Sequence, residues 1–144
     1  MRLTLLSLEE LENLELTLQE NEPKSEHGNY SMLIKIYEEM YRRLVPLARK
    51  NKEQYGAELY NIKEPLIFYL IKYGTYLKMN NVKDDELARS SLQRALKYDP
   101  TNPIAYYRLG FLSYKDTEYR RSVHYFQSTL TYQDSHIKKR ISVK

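Results

Sequence analysis

The side chains best suited to proton transfer or metal binding in this 144-residue chain are three histidines and a few paired carboxylates. A histidine titrates near neutrality and ligates zinc, but a metal site needs several such donors at fixed spacing. His27 falls in a polar, proline-containing stretch, His124 in the middle of a helical run facing outward, and His136 near the C-terminal end. No two of them share a ligand spacing. Glu38-Glu39 and Asp84-Asp85-Glu86 read as surface acids or helix caps rather than an acid–base pair. There is no cysteine for a thiolate site and no glycine-rich loop to cradle a phosphate. The expectation is a chain without catalytic residues, cofactor or metal, and so not an enzyme.

Basic and aromatic residues could do a different chemistry, the stacking and charge neutralisation that hold nucleic acid. Residues 101–144 carry a net charge of +5, with clusters at Arg120-Arg121 and Lys138-Lys139-Arg140, and the chain holds fifteen tyrosines. Most of those tyrosines fall on apolar stripes, and the clusters are small. Nucleic-acid binding through the basic C-terminal third is therefore an alternative, not the leading reading. Residues 1–30, by contrast, carry −5.

The elements that must position these groups read as helices throughout. Four glycines and five prolines leave few turns for a many-stranded fold, and the 42% hydrophobic, 29% charged composition suits one compact domain. No run approaches the ~20 apolar residues of a membrane span, and glutamates interrupt the first leucines too early for a signal peptide, so a cytoplasmic location without membrane contact is expected. Ser7-Leu-Glu-Glu10 is a capping box, and Leu8, Leu11, Leu14 and Leu18 continue a helix to about Glu20. A loop follows through Pro23 and Gly28. From Ser31 the apolar spacing predicts a second helix reaching Leu59, kinked near Pro46, which lacks an amide and crowds the carbonyl four residues earlier. "EPLIFYLIKYGTYLKM" predicts a helix over 64–79, apolar nearly all round, with Pro65 in its first turn. "NNVKDD" is a turn, and Asp84 or Asp85 caps a helix ending at Tyr98. Asp99 precedes Pro100 and is pushed out of the helical region, while Asn102 and Pro103 suit the cap and first position of the next helix.

Self-comparison finds a repeat. From Pro103 the pattern is Tyr106-x-x-Leu109-Gly110, then Tyr119, Ser122-x-x-x-Phe126 and Thr129. Ala88, Ala95 and Pro100 fall 34 residues before Ser122, Thr129 and Asp134. This resembles the tetratricopeptide repeat, clearest over 103–136 and degenerate over 68–102. Ser113 and Asp134 depart from that family's tyrosine and proline, and the turn before Ala88 is two residues longer. The resemblance implies an all-α fold, a right-handed superhelix (α-α solenoid) of antiparallel helix pairs. The division expected is N-terminal helices over 1–62, two repeat units over 63–136, and a cap or tail over 137–144. Gly110 would lie where two helices cross too closely for a side chain.

The resemblance also implies a function: a non-catalytic scaffold or adaptor holding a peptide or helix of another protein in a concave aromatic groove. The family's groove positions carry over to Ile104, Tyr107, Arg108, Phe111 and Tyr114, and one unit earlier to Phe68, Ile71, Thr75 and Lys78. Ile71, Thr75 and Ile104 are unlike the polar side chains with which one subfamily clamps a carboxylate, although Arg108 suits an arginine site. The N-terminal helices could instead occupy this groove. A regulatory peptide receptor is a further alternative, and a homodimer is a possible assembly, because an end unit exposes the face on which another unit would stack.

Overall fold

The computed structural model describes residues 2–21, 28–79 and 85–142, with side chains described for 2–20, 30–77 and 85–134. Among the described residues the chain is all-α, without strands. After a short 3-10 turn at Leu3–Leu5 come α1 (Leu8–Asn21), α2 (Gly28–Lys50), α3 (Lys52–Met79), α4 (Asp85–Tyr98), α5 (Pro103–Lys115) and α6 (Tyr119–Ser142). It divides into two compact units, residues 1–69 and 70–144, with the boundary inside α3. The loop expected around Pro23 and the Asp84 cap lie outside the described residues. Among those residues no helix is long and apolar enough to cross a membrane.

In the first unit, α1 starts as its capping box requires. The Glu10 amide donates to Ser7 Oγ at 3.1 Å and the Ser7 amide to Glu10 Oε1 at 3.2 Å. Leu11 of α1 is buried with Leu33, Ile36, Tyr37, Met40 and Leu44 of α2. Those α2 residues recur every three or four positions, so one stripe of the helix faces the core. Three charged groups sit at its edge. Glu39, 9% exposed, accepts from Arg42 at 2.6 Å and from Arg43 at 3.0 Å. The Arg42 hydrogen bond, followed by that of Arg43, holds the Glu39 carboxyl below the usual carboxylate range. Arg43 also donates to the carbonyls of Leu3 and Leu6, which ties the N-terminal turn to α2.

Neither proline ends a helix. α2 runs through Pro46 to Lys50, and a break follows at Asn51. The Asn51 amide donates to the Leu47 carbonyl at 2.9 Å, as a helix end does. Its Oδ1 accepts the Gln54 amide at 3.1 Å, as an N-cap does. One residue thus closes α2 and opens α3. Pro65, expected in a first turn, lies well inside α3 because that helix begins thirteen residues earlier. α2 likewise begins at Gly28 rather than Ser31; first-turn amides have no intrahelical partner, so Gly and Asn are tolerated there.

In the second unit, the end of α3 pairs with α4, and α5 pairs with α6. Leu77, Ala88, Leu92, Leu109 and Leu112 form one buried cluster, joining α3, α4 and α5. The Ser91 hydroxyl donates to the Leu70 carbonyl at 2.7 Å, and Arg89 of α4 reaches Asp116 at 2.9 Å and Glu118 at 3.4 Å in the α5–α6 turn. At the α4–α5 junction the expected cap forms: Asn102 Oδ1 accepts the amides of Ile104 and Ala105 at 3.0 and 3.1 Å, with Pro103 in the first turn. α6 continues without a break from Tyr119 through Ser142.

The α5–α6 turn is a Schellman motif. The Glu118 amide donates to the Ser113 carbonyl at 2.8 Å and the Thr117 amide to Tyr114 at 3.1 Å. That motif puts Thr117 at φ 62°, a left-handed conformation that usually calls for glycine and that crowds a β-branched side chain. Thr117→Gly should therefore raise stability, by about 1 kcal/mol net of the greater freedom of an unfolded glycine. Urea titration checks this; a midpoint that falls would mean the strain is not there.

Candidate peptide-binding face

α5 presents three faces. Ala105, Leu109 and Leu112 are buried, the two leucines in the cluster with α4. Tyr106, Gly110 and Ser113 turn toward α6. There Tyr106 stacks on Tyr132 with ring centroids 5.5 Å apart, and its hydroxyl donates to the Pro100 carbonyl at 2.8 Å. Burial, then the neighbouring Tyr132, Tyr125 and Asp99, pushes the Tyr106 phenol above its ordinary value, so it remains a donor. The Gly110 carbonyl accepts the Ser122 hydroxyl at 3.0 Å, and a Cβ on Gly110 would lie 2.7 Å from the ring of Phe126. The close crossing expected from the repeat is present. Gly74 repeats it one unit earlier, where a Cβ would lie 2.8 Å from Leu92 and 3.1 Å from the Ala88 carbonyl.

The third face carries the residues that were expected on the groove wall. Ile104, Tyr107, Phe111 and Tyr114 are 52%, 46%, 48% and 59% exposed, following one another at three- and four-residue steps. Arg108 lies among them, half-buried, with its guanidinium 5.7 Å from the Tyr107 ring centroid and its Nε buried without a hydrogen-bond partner. α5 contains no carboxylate, so every formal charge on this helix is positive.

The earlier unit contributes less than expected. Ile71 is half-buried against the central cluster, and the Thr75 hydroxyl donates to the Ile71 carbonyl at 2.8 Å within its own helix. Lys78 is helical, but its side chain lies outside the described residues. Phe68 belongs to the first unit, where it is 55% exposed and meets Tyr69 edge-on.

Sequence reasoning expected the end pair to expose a stacking side but did not name the α6 residues that line it. Tyr119, Val123 and Leu130 are 56%, 54% and 70% exposed. Tyr114 meets Tyr119 at 5.6 Å and Tyr107 meets Phe126 at 5.9 Å, which joins the exposed stripes of the two helices. The signal was available, since Tyr119, Val123, Phe126 and Leu130 fall at i, i+4, i+7 and i+11. His124, on the same helix, is exposed. No group of three His, Asp or Glu among the described residues is disposed to hold a metal ion.

Comparison with known proteins places one part of this arrangement. Neither the curated proteins nor the solved structures gave a match to the chain. The family model described as TPR repeat matches residues 83–116, which span α4 and α5. With the glycine crossings at 74 and 110 and the paired helices around them, this stretch of the chain is similar to a tetratricopeptide repeat.

Proposed function

We propose that the chain is a protein-interaction module whose α5 face binds a peptide or helix of another protein. Tetratricopeptide repeats generally act as non-catalytic interaction scaffolds, which agrees with the absence of any catalytic motif in the sequence. The observation that carries the reading is the open stripe of Ile104, Tyr107, Phe111 and Tyr114. A soluble helix seldom leaves four large apolar residues in a row to water unless something binds them. Tyrosine and phenylalanine offer much contact area for two restricted torsions each, which suits anchoring a partner. Arg108 and Lys115 beside them favour a ligand with carboxylates near its apolar anchors.

A random peptide library displayed on phage and selected against the full chain tests this. Enriched peptides should lose at least about tenfold in affinity when Tyr107→Ala and Phe111→Ala are combined, as truncated anchors usually cost over 1 kcal/mol each. Both side chains are about half exposed, so the helical dichroism and melting temperature should hold. Peptides that bind the variant as tightly as the parent would rule out this face.

A further inference from the structure

The second unit contains one interface twice, once closed and once open. On α4, Arg89, Leu92 and Leu96 form the side that meets the next unit. Leu92 is buried in the cluster with Leu109 and Leu112, Leu96 packs against it, and Arg89 binds Asp116 and Glu118. Thirty-four residues on, the same positions of α6 are Val123, Phe126 and Leu130. Val123 and Leu130 are 54% and 70% exposed, and Phe126 is half-buried. The edge of this side also changes sign. Where α4 begins with Asp85 and Glu86, α6 begins with Tyr119 and Arg120, and no carboxylate lies between Glu118 and Asp134. Arg120 is exposed along it, while Arg121, on the far face of the helix, pairs with Glu118 at 2.9 Å.

A complementary surface exists on α1. Its outward side carries Glu9, Glu12 and Glu20, with Leu16 among them, 56% exposed. These four follow at i, i+3, i+7 and i+11, a strip of about three turns, the same length as Tyr119 to Leu130. We propose that in solution the outward side of α1 in one copy of this chain docks on the open side of α6 in another. Leu16 seats against Val123 and Leu130, and the α1 glutamates lie along Arg120. Another α6 would fit this place poorly, since it would bring arginine against arginine. The −5 of residues 1–30 and the +5 of residues 101–144 steer the encounter. If each of two copies supplies its α1 to the other, the contact closes as a two-fold pair; otherwise it propagates.

Light scattering on the full chain at micromolar concentration tests this in salt of about 0.01 M and about 1 M. The expected mass at low salt is a multiple of the 17.3 kDa of one chain, falling toward 17.3 kDa at high salt. Leu16→Arg and Val123→Glu, both on exposed positions, should each give the single-chain mass with an unchanged helical dichroism spectrum. Glu9→Lys with Glu12→Lys should weaken association by about tenfold or more, and Arg120→Glu added to that chain should restore it. A mass of 17.3 kDa at both salts overturns the proposal. So does association that Val123→Glu abolishes and Leu16→Arg leaves intact, because a different occupant then covers α6.

Discussion

Gly110→Leu should destabilise the protein by about 2–3 kcal/mol, at the upper end of what overpacking costs, lowering Tm by roughly 5–10 °C. Leucine at this position gains helix propensity, a term of about 1 kcal/mol in its favour. The gain is outweighed because a Cβ alone would already stand 2.7 and 2.8 Å from two ring atoms of Phe126, and a leucine adds three carbons beyond it. Relief requires the Phe126 ring to leave, which breaks its contact with Tyr107, or α6 to move, which stretches the 3.0 Å bond from Ser122 to the Gly110 carbonyl. Phe126→Ala should therefore recover part of the loss when combined with Gly110→Leu, although on its own it removes packing. A double-mutant cycle by urea unfolding measures this coupling. Additive effects would show that Phe126 is not what excludes the side chain.

Tyr37→Ala should cost more, about 3–5 kcal/mol, the range for deleting a buried aromatic ring. Tyr37 is fully buried, and its ring stacks on Tyr69 with centroids 5.9 Å apart and planes 16° from parallel. Its hydroxyl donates to Glu15 at 2.7 Å and accepts from Gln19 at 2.7 Å, which pins α1 to α2. Burial, with the Glu15 carboxylate beside it, raises the phenol well above its ordinary value, so the donor is never lost near neutrality. Tyr37→Phe separates the two contributions. It keeps the ring, and Gln19 already lies 3.4 Å from Glu15, so those groups retain each other and the loss should be about 1 kcal/mol. Chemical denaturation of both variants checks the pair. Equal losses would place the stability in the hydroxyl rather than the ring.

What could be read from the chain without its fold was what neighbouring residues decide among themselves. The Ser7–Glu10 box and the Asn102–Pro103 start are complete within four residues, and both formed as expected. The glycine crossing was legible because spacing alone marks it. Asn51 was hidden, since an asparagine in an amphipathic run looks like any surface residue until its amide and side chain are seen serving two helices. Pro65 misled for the opposite reason: a first-turn position is its usual place, and the residues before it carried helical spacing too weak to join. The groove positions on α5 separate from the core only through burial, which depends on what packs alongside. The same holds for Ile71 and Thr75, whose side chains turned out to be engaged at home. The open side of α6 was legible from its place at the end of the repeat, but its apolar pattern alone is that of α4, whose side is covered.

The family match over 83–116 begins at the second helix of one pair and ends after the first helix of the next. Nothing is displaced by this, because a repeated stack has a period but no natural origin, much as a crystal has a lattice before anyone draws its unit cell. Two periods can even be measured here. The first-helix glycines are 36 residues apart and the second-helix contacts, Ala88 and Ser122, are 34 apart. Yet Gly74 still meets Ala88 as Gly110 meets Ser122, so the difference is a phase slip taken up between Gly74 and Ala88, and the register of contacts is conserved across it. α5 is the half-cell that both pairings share. An injury to that helix alone is felt at two boundaries of the stack, toward α4 through Leu109 and Leu112 and toward α6 through Gly110.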